Sequence, residues 1–184
     1  MALSEQQHRG PWSPVWSLDG TWRLMVGPDS PDAPASFEAA KDAGCSEIPA
    51  CVPGNVELDL VAAGHLDDPF VGANIEALRP LEFMQWWYRR DFVSPVRGTG
   101  SGLDLVFEGL DCFATVWIND HCIGSRANAM IAQRFDVADV VNPAGETNVL
   151  TVRLRSAVNA VRDIPLGPLD QAQAHALDSL WARK

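Results

Sequence analysis

An antiparallel β-sandwich is the fold class this sequence predicts, and three observations predict it. Short runs of aromatic and β-branched residues recur along the chain and are parted by Gly, Pro and Asn/Asp clusters. One run, Asn148 to Arg155, alternates Leu150, Val152 and Leu154 with Thr151, Arg153 and Arg155, as a strand with one buried and one wet face does in an antiparallel sheet. A hydrophobic fraction of 47% over 184 residues suits a globular chain with a real core, so the expectation is one all-β domain spanning residues 1–184, with one or two short helices.

The elements follow in order. Trp22 to Val26 reads as an early strand, entered by the Asp19-Gly20 turn and left through the Pro/Asp-rich loop Gly27 to Asp32. Ile48 to Val52 is a second short strand, closed by Pro53-Gly54. Asn55 then caps a helix over Val56 to Ala63, which Gly64 stops. Asp67 to Glu82, rich in Pro, Gly and Asn, is predicted to be irregular. Further strands are predicted over Trp87 to Val93, Leu103 to Glu108, Ala114 to Ile118 and Asn148 to Arg155, with Gly98 to Gly102 as a flexible hairpin loop. Asn119-Asp120 is a tight hairpin tip whose residues tolerate positive φ. The tail from Leu169 to Lys184 has helical composition, an imperfect apolar stripe and Asp170 as a cap.

The run Gln85-Trp86-Trp87-Tyr88-Arg89-Arg90-Asp91-Phe92 concentrates aromatic rings and guanidinium forks, which serve sugar sites and sandwich cores alike. Strand alternation sends Trp87, Arg89 and Asp91 to one face and Trp86, Tyr88 and Arg90 to the other. A structural role is the favoured reading for most of the run. Gln85 and Trp86, at its entrance beside the irregular loop, are the candidate substrate-binding residues, because loops at sandwich ends gather ligand contacts.

Charge narrows the partners. A formal net charge of -10 argues against nucleic acid and against anionic lipid surfaces. The first ten residues carry no apolar signal core, and no run approaches the roughly 18 apolar residues of a membrane span, so the sequence predicts a soluble, cytoplasmic protein. Cys45, Cys51, Cys112 and Cys122 match no redox or zinc spacing and read as reduced thiols, a Cys45–Cys51 bridge being the minority reading. His8, His65, His121 and His175 are isolated, so no metal site is predicted. Glu108 and Asp111 are the best local carboxylates for glycosidase chemistry, yet turn or rim roles are far commoner for such residues. No phosphate-cradling or dinucleotide-binding motif is present.

Taken together, several pieces resemble a known family in the family's own order. They are Leu18-Asp19-Gly20-Thr21-Trp22, Val52-Pro53-Gly54-Asn55-Val56, Asp68-Pro69-Phe70, Asn74-Ile75-Glu76, Trp86-Trp87-Tyr88-Arg89 with Phe92, Phe107-Glu108-Gly109-Leu110-Asp111, Ala114 to Asn119, Phe135-Asp136-Val137 and Asn148 to Val152. The chain thereby resembles the β-mannosidases of glycoside hydrolase family two, in their N-terminal sugar-binding-like sandwich. Pro80, Gln85 and Asp120 depart from the family's usual residues. The resemblance implies a jelly-roll, galactose-binding-like fold and a parent enzyme that hydrolyses terminal non-reducing β-D-mannose without a cofactor. Its two glutamates would lie in a downstream barrel. It also implies a domain incomplete at its C-terminus, since Leu180 to Lys184 resembles the start of a segment leading to an aromatic loop and the last strands. The implied partners are carbohydrate or the downstream catalytic domains. A free-standing carbohydrate-binding module, or a docking domain for a separate catalytic chain, is the alternative.

Overall fold

The computed structural model describes residues 14–96 and 102–162. The large sheet contains β1 (Gly20–Pro28), β2 (Glu47–Val52), β3 (Met84–Val93), β5 (Phe113–Ile118), β6 (His121–Ala127) and β8 (Thr147–Arg155), and a smaller sheet pairs β4 (Asp104–Phe107) with β7 (Gln133–Asp136). Order in the large sheet is β2-β1-β3-β8-β5-β6, and every pairing is antiparallel. Helices α1 (Phe37–Asp42), α2 (Val56–Ala62) and α3 (Ala157–Val161) are short, and a 3-10 segment runs from Asn74 to Phe83. This is the predicted sandwich, with one sheet much wider than the other.

Period-two alternation sorts the side chains by face. Trp22, Val116, Leu150 and Val152 point inward and meet Phe135, with Leu105 and Phe107 packed beside them. Phe107 and Phe135 cross at 89° with ring centroids 6.1 Å apart, the edge-to-face geometry that aromatic quadrupoles favour. Further along the same face, α2 lowers Leu60 onto Leu24, Ile48, Ala50 and Trp86. The outer face is covered over part of its area by α1, whose Phe37 and Ala40 rest on Met25 and Trp87.

Local chemistry explains most of the elements. The Asn55 side chain accepts from Leu58 N at 2.9 Å and starts α2, and the helix gives way at Gly64, where φ is +74°. Buried Asp59 on α2 accepts from Cys51 N at 2.9 Å, which ties the helix to β2. Trp22 donates its indole N–H to Leu18 O at 2.9 Å, so the Asp19-Gly20 turn is locked to the core tryptophan. Asn119 and Asp120 take φ of 49° and 66°, as the predicted hairpin tip requires. Gly124, opposite a register shift at Val116 and Trp117, has φ of +148°, and a Cβ there would lie 3.1 Å from the Phe135 ring.

The structure also departs from the expectations. Helix α1 was not predicted. Ser36 caps it by accepting from Ala39 N at 3.1 Å, but six residues carry too little periodicity to announce a helix. The irregular stretch contains the 3-10 segment, and β3 begins at Met84 because β1 continues pairing as far as Pro28. The predicted helix over Leu169 to Lys184 and most of the Gly98 to Gly102 loop lie outside the described residues. All four cysteines are free thiols.

A polar knot holds one end of the sheet. Asn148 is 0% exposed; its Oδ1 accepts from Asn119 Nδ2 at 2.8 Å and Asn142 N at 2.7 Å, and its Nδ2 donates to Ser94 Oγ at 2.7 Å. Asn119 Oδ1 in turn accepts from Val149 N at 2.9 Å. Replacing Asn148 with Ala removes its hydrogen bonds to Asn119, Asn142 and Ser94 and leaves Asn142 N without a partner, while Asn119 Nδ2 keeps Val140 O and Ser94 Oγ keeps Asn142 O; an unpaired group costs about 1–3 kcal/mol and each lost bond about 0.5–1.5 kcal/mol. We therefore expect Asn148→Ala to lower the unfolding free energy by about 3 kcal/mol or more in urea titration. A change within about 0.5 kcal/mol, the usual range of surface substitutions, would show that the knot is dispensable.

Candidate functional site

The entrance of β3 differs from its sequence reading. Gln85 is 1% exposed, and its Nε2 donates to Pro34 O at 3.3 Å, so it pins the loop after β1 over the outer face. Trp86 is 8% exposed on the inner face, among Leu24, Ile48, Ala50 and Leu60. Neither candidate offers a free face on which a sugar could stack. The physical reason is β1, which pairs with β3 through Gln85 to Met84 and turns the supposed strand entrance into sheet interior.

Other residues of the run reach the outer face. Trp87 and Trp117 lie 5.6 Å apart at an interplanar angle of 31°, and the Arg153 guanidinium stands 5.4 Å and 5.7 Å from their centroids. Register explains the cluster, since Arg153 is the direct neighbour of Trp87 on one side and of Thr115 on the other. Among the described residues Arg153 has no carboxylate partner. Burial pulls its guanidinium below the ordinary arginine value, and Arg155 adds repulsion. Arg153 Nε, Trp87 Nε1 and Arg89 Nε are all buried without a hydrogen-bond partner. The indole rings stabilise the cation instead, at about 0.5–2 kcal/mol per contact.

Next to this cluster, Arg89 stacks on Phe37 at 4.9 Å and bonds Glu38, whose carboxyl it holds below the usual value. Arg23 pairs with Asp91 at 2.9 Å. Between them lies a shallow groove of about 360 Å³, bordered by Thr21, Arg23, Glu47, Arg89 and Asp91. Of the three arginines that line it, Arg23 and Arg89 have carboxylate partners and Arg90 donates to the backbone carbonyls of Asp19 and Thr21, so the groove presents guanidinium groups that are already engaged. Such an arrangement can accept hydroxyl hydrogen bonds but contains no poised acid or nucleophile.

At the β3 entrance a second polar knot joins residues that sequence reasoning did not single out. Asp29, buried after β1, accepts from Arg155 Nε at 3.0 Å and Ser156 N at 3.0 Å, and its backbone carbonyl accepts from Asn159 Nδ2 at 2.8 Å. Ser156 Oγ donates to Glu82 O and accepts from Asn159 N, which seats α3 against the 3-10 segment. The only sequence signal was the Asp/Pro density around residues 28–32, which reads as an ordinary turn.

The carboxylates Glu108 and Asp111 are exposed and flank the turn between β4 and β5. No cluster of three or more metal-ligating side chains occurs among the described residues.

The geometry has known counterparts. A glycosyl hydrolase 2 galactose-binding domain-like family matches residues 36–183. The β-mannosidase of Rattus norvegicus is 32% identical over 79% of this chain, which covers 14% of that protein. Beta-mannosidase A of Aspergillus terreus is 36% identical over 66% of the chain and 13% of its own length. Among solved structures, the crystal structure of a β-D-mannosidase from Dictyoglomus thermophilum matches with a TM-score of 0.64 and 32% identity, over 81% of this chain and 17% of that one. The chain thus spans 13%, 14% and 17% of the lengths of the Aspergillus, rat and Dictyoglomus proteins.

The placement of Trp86 gives a direct test. Trp86→Ala should cost about 3–5 kcal/mol of stability, the usual loss for a core aromatic, read by denaturant titration. A variant that unfolds at the parent's midpoint would put the ring outside the core.

Proposed function

We propose a function on the premise that this chain belongs to the glycosyl hydrolase 2 galactose-binding domain-like family. We infer that it is the non-catalytic N-terminal sandwich of a β-mannosidase-like glycoside hydrolase whose complete polypeptide hydrolyses terminal, non-reducing β-D-mannose residues. One observation carries the reading. The matched curated relatives are β-mannosidases of rat and fungal origin, and this chain aligns with a small share of each.

Physical chemistry supports a non-catalytic role for the piece in hand. A retaining glycosidase needs two carboxyl groups about 5 Å apart, one of them kept protonated by its surroundings. Glu108 and Asp111 are exposed on the turn between β4 and β5. A (β/α) barrel typically takes about 250 residues, more than the 184 of this chain. Under this reading the sandwich contributes a folded body on which the catalytic part rests, and it needs no cofactor.

The outer face supports a second reading, a carbohydrate-binding module in its own right. Trp117 is half-buried beside Arg153, which lacks a carboxylate partner among the described residues, and such a pair suits a sugar ring and its hydroxyls. Two measurements on the purified chain separate the readings. The favoured reading expects no nitrophenol release from p-nitrophenyl β-D-mannoside above a buffer control, and no saturable heat on titration with mannobiose. Nitrophenol release would overturn the non-catalytic assignment, whereas saturable heat without hydrolysis would favour the binding module.

A further inference from the structure

One positive charge on the outer face of the large sheet has no counter-ion among the described residues. Arg23, Arg89 and Arg155 stand on that face and are paired with Asp91, Glu38 and Asp29. Arg153, flanked in register by Trp87 and Thr115, meets no carboxylate. Burying a cation without a partner costs free energy, and this one is half-buried, with its Nε enclosed and unbonded. Trp87 beside it is 1% exposed, and its Nε1 is unbonded as well. An uncharged side chain would serve packing better at this position. Such a local violation is what a binding function explains.

The groups around Arg153 define what would satisfy it. Thr115, across from it on β5, shares a hydrogen bond of 3.0 Å with exposed Ser125 on β6, so one of the two hydroxyls keeps a hydrogen to donate. Trp117 is half-buried, with its ring centroid 5.7 Å from the guanidinium carbon. A guanidinium fork matches a carboxylate, and an indole with hydroxyls beside it matches the C–H and O–H groups of a sugar ring. The charge count narrows the ligand further. The paired arginines add no net charge, and a chain of net charge -10 repels polyanions. A single carboxylate fits this site better than an acidic peptide or a polyphosphate does.

We propose that Arg153, Trp117 and the Thr115–Ser125 hydroxyl pair form a binding site for a hexuronic acid residue. The guanidinium takes the carboxylate, the indole lies against the sugar ring, and the hydroxyl pair bonds the ring's own hydroxyls. This inference rests on the binding reading of the same face and deepens it, by naming a charged sugar where that reading leaves the sugar open. It is independent of the parent enzyme's activity.

Titration of the purified chain, followed by tryptophan fluorescence, decides it. Methyl β-D-glucuronide is expected to give a saturable change, and methyl β-D-glucoside and sodium acetate none at the same concentrations. Arg153→Gln should weaken glucuronide binding by about tenfold or more, without lowering the melting temperature, because the variant removes an unpaired charge. Arg153→Lys keeps the charge and loses the fork, so its affinity should fall between the two. A second readout locates the ligand. Cys122 is exposed and pairs with Trp117 across β5 and β6, whereas Cys51 is exposed on β2 at the opposite edge of the sheet. Bound glucuronide should slow alkylation of Cys122 by iodoacetamide and leave that of Cys51 unchanged.

No saturation by the glucuronide would overturn the proposal, and heat on titration with mannobiose would then decide the binding reading by itself. Equal binding of the glucoside would keep a sugar site and overturn its acidic specificity. Acetate binding as tightly as the glucuronide would reduce the site to a bare anion contact, and N-acetylphenylalanine binding more tightly would make a peptide terminus the occupant; either result overturns the hexuronic acid. Parent affinity in Arg153→Gln, or protection of Cys51 in place of Cys122, would put the ligand elsewhere and overturn the site.

Discussion

The constraint on which the rest of the structure depends is the two-sided burial of β3. This strand pairs with β1 over Met84 to Arg89 on one side and with β8 over Trp86 to Val93 on the other, so its middle, Trp86 to Arg89, has a neighbouring strand on both edges. Trp86 and Trp87, adjacent in sequence, then have to enter opposite cores. Each indole buries roughly 150–250 Å², and each therefore calls for its own cover: α2 and Leu60 over Trp86, and α1 with Phe37 over Trp87. A slip of one residue in register would exchange the two cores and carry Tyr88 to the wet face, which makes the register strongly specified. The helices are short because each needs only to supply a lid a few side chains wide.

Polar knots complete what the hydrophobic register begins, one at each end of the sheet. Asn148 gathers Asn119, Asn142 and Ser94 at the end where β8 starts, and Asp29 gathers Arg155, Ser156 and Asn159 where it finishes. Apolar packing is nearly indifferent to small sliding motions, whereas hydrogen bonds are lost within an ångström of displacement. The strand that crosses the middle of the large sheet is in this way held at both termini.

The strands were legible in the sequence because turn chemistry brackets them. Asp19-Gly20, Pro53-Gly54 and Asn119-Asp120 mark boundaries that the structure keeps to within a few residues. The sorting of Trp87, Arg89 and Asp91 from Trp86, Tyr88 and Arg90 was also legible, since it follows from strand alternation alone. The short elements were not. Helix α1 and strand β7 are six and four residues long, too brief for a periodic signal. Neither was the setting of Gln85 and Trp86 visible, because it depends on how far β1 extends and on where Pro34 folds. The Asp29 knot joins residues 126 to 130 positions apart, a separation at which local pattern carries no information.

Aromatic abundance therefore measures something different from binding capacity in this chain. A sugar needs a ring with a free face, and the structure occupies most of the faces the sequence supplies. Trp86 is enclosed by the α2 core, Trp22 meets Tyr88 edge-on at 6.5 Å, and Trp87 is covered by Trp117 and Arg153. Among the tryptophans on the large sheet, Trp117 alone keeps appreciable exposure, and its neighbours are a lone cation and the bonded Thr115 and Ser125 hydroxyls. The family's galactose-binding-like description thus refers, in this chain, to a framework whose aromatic rings have been committed to stability.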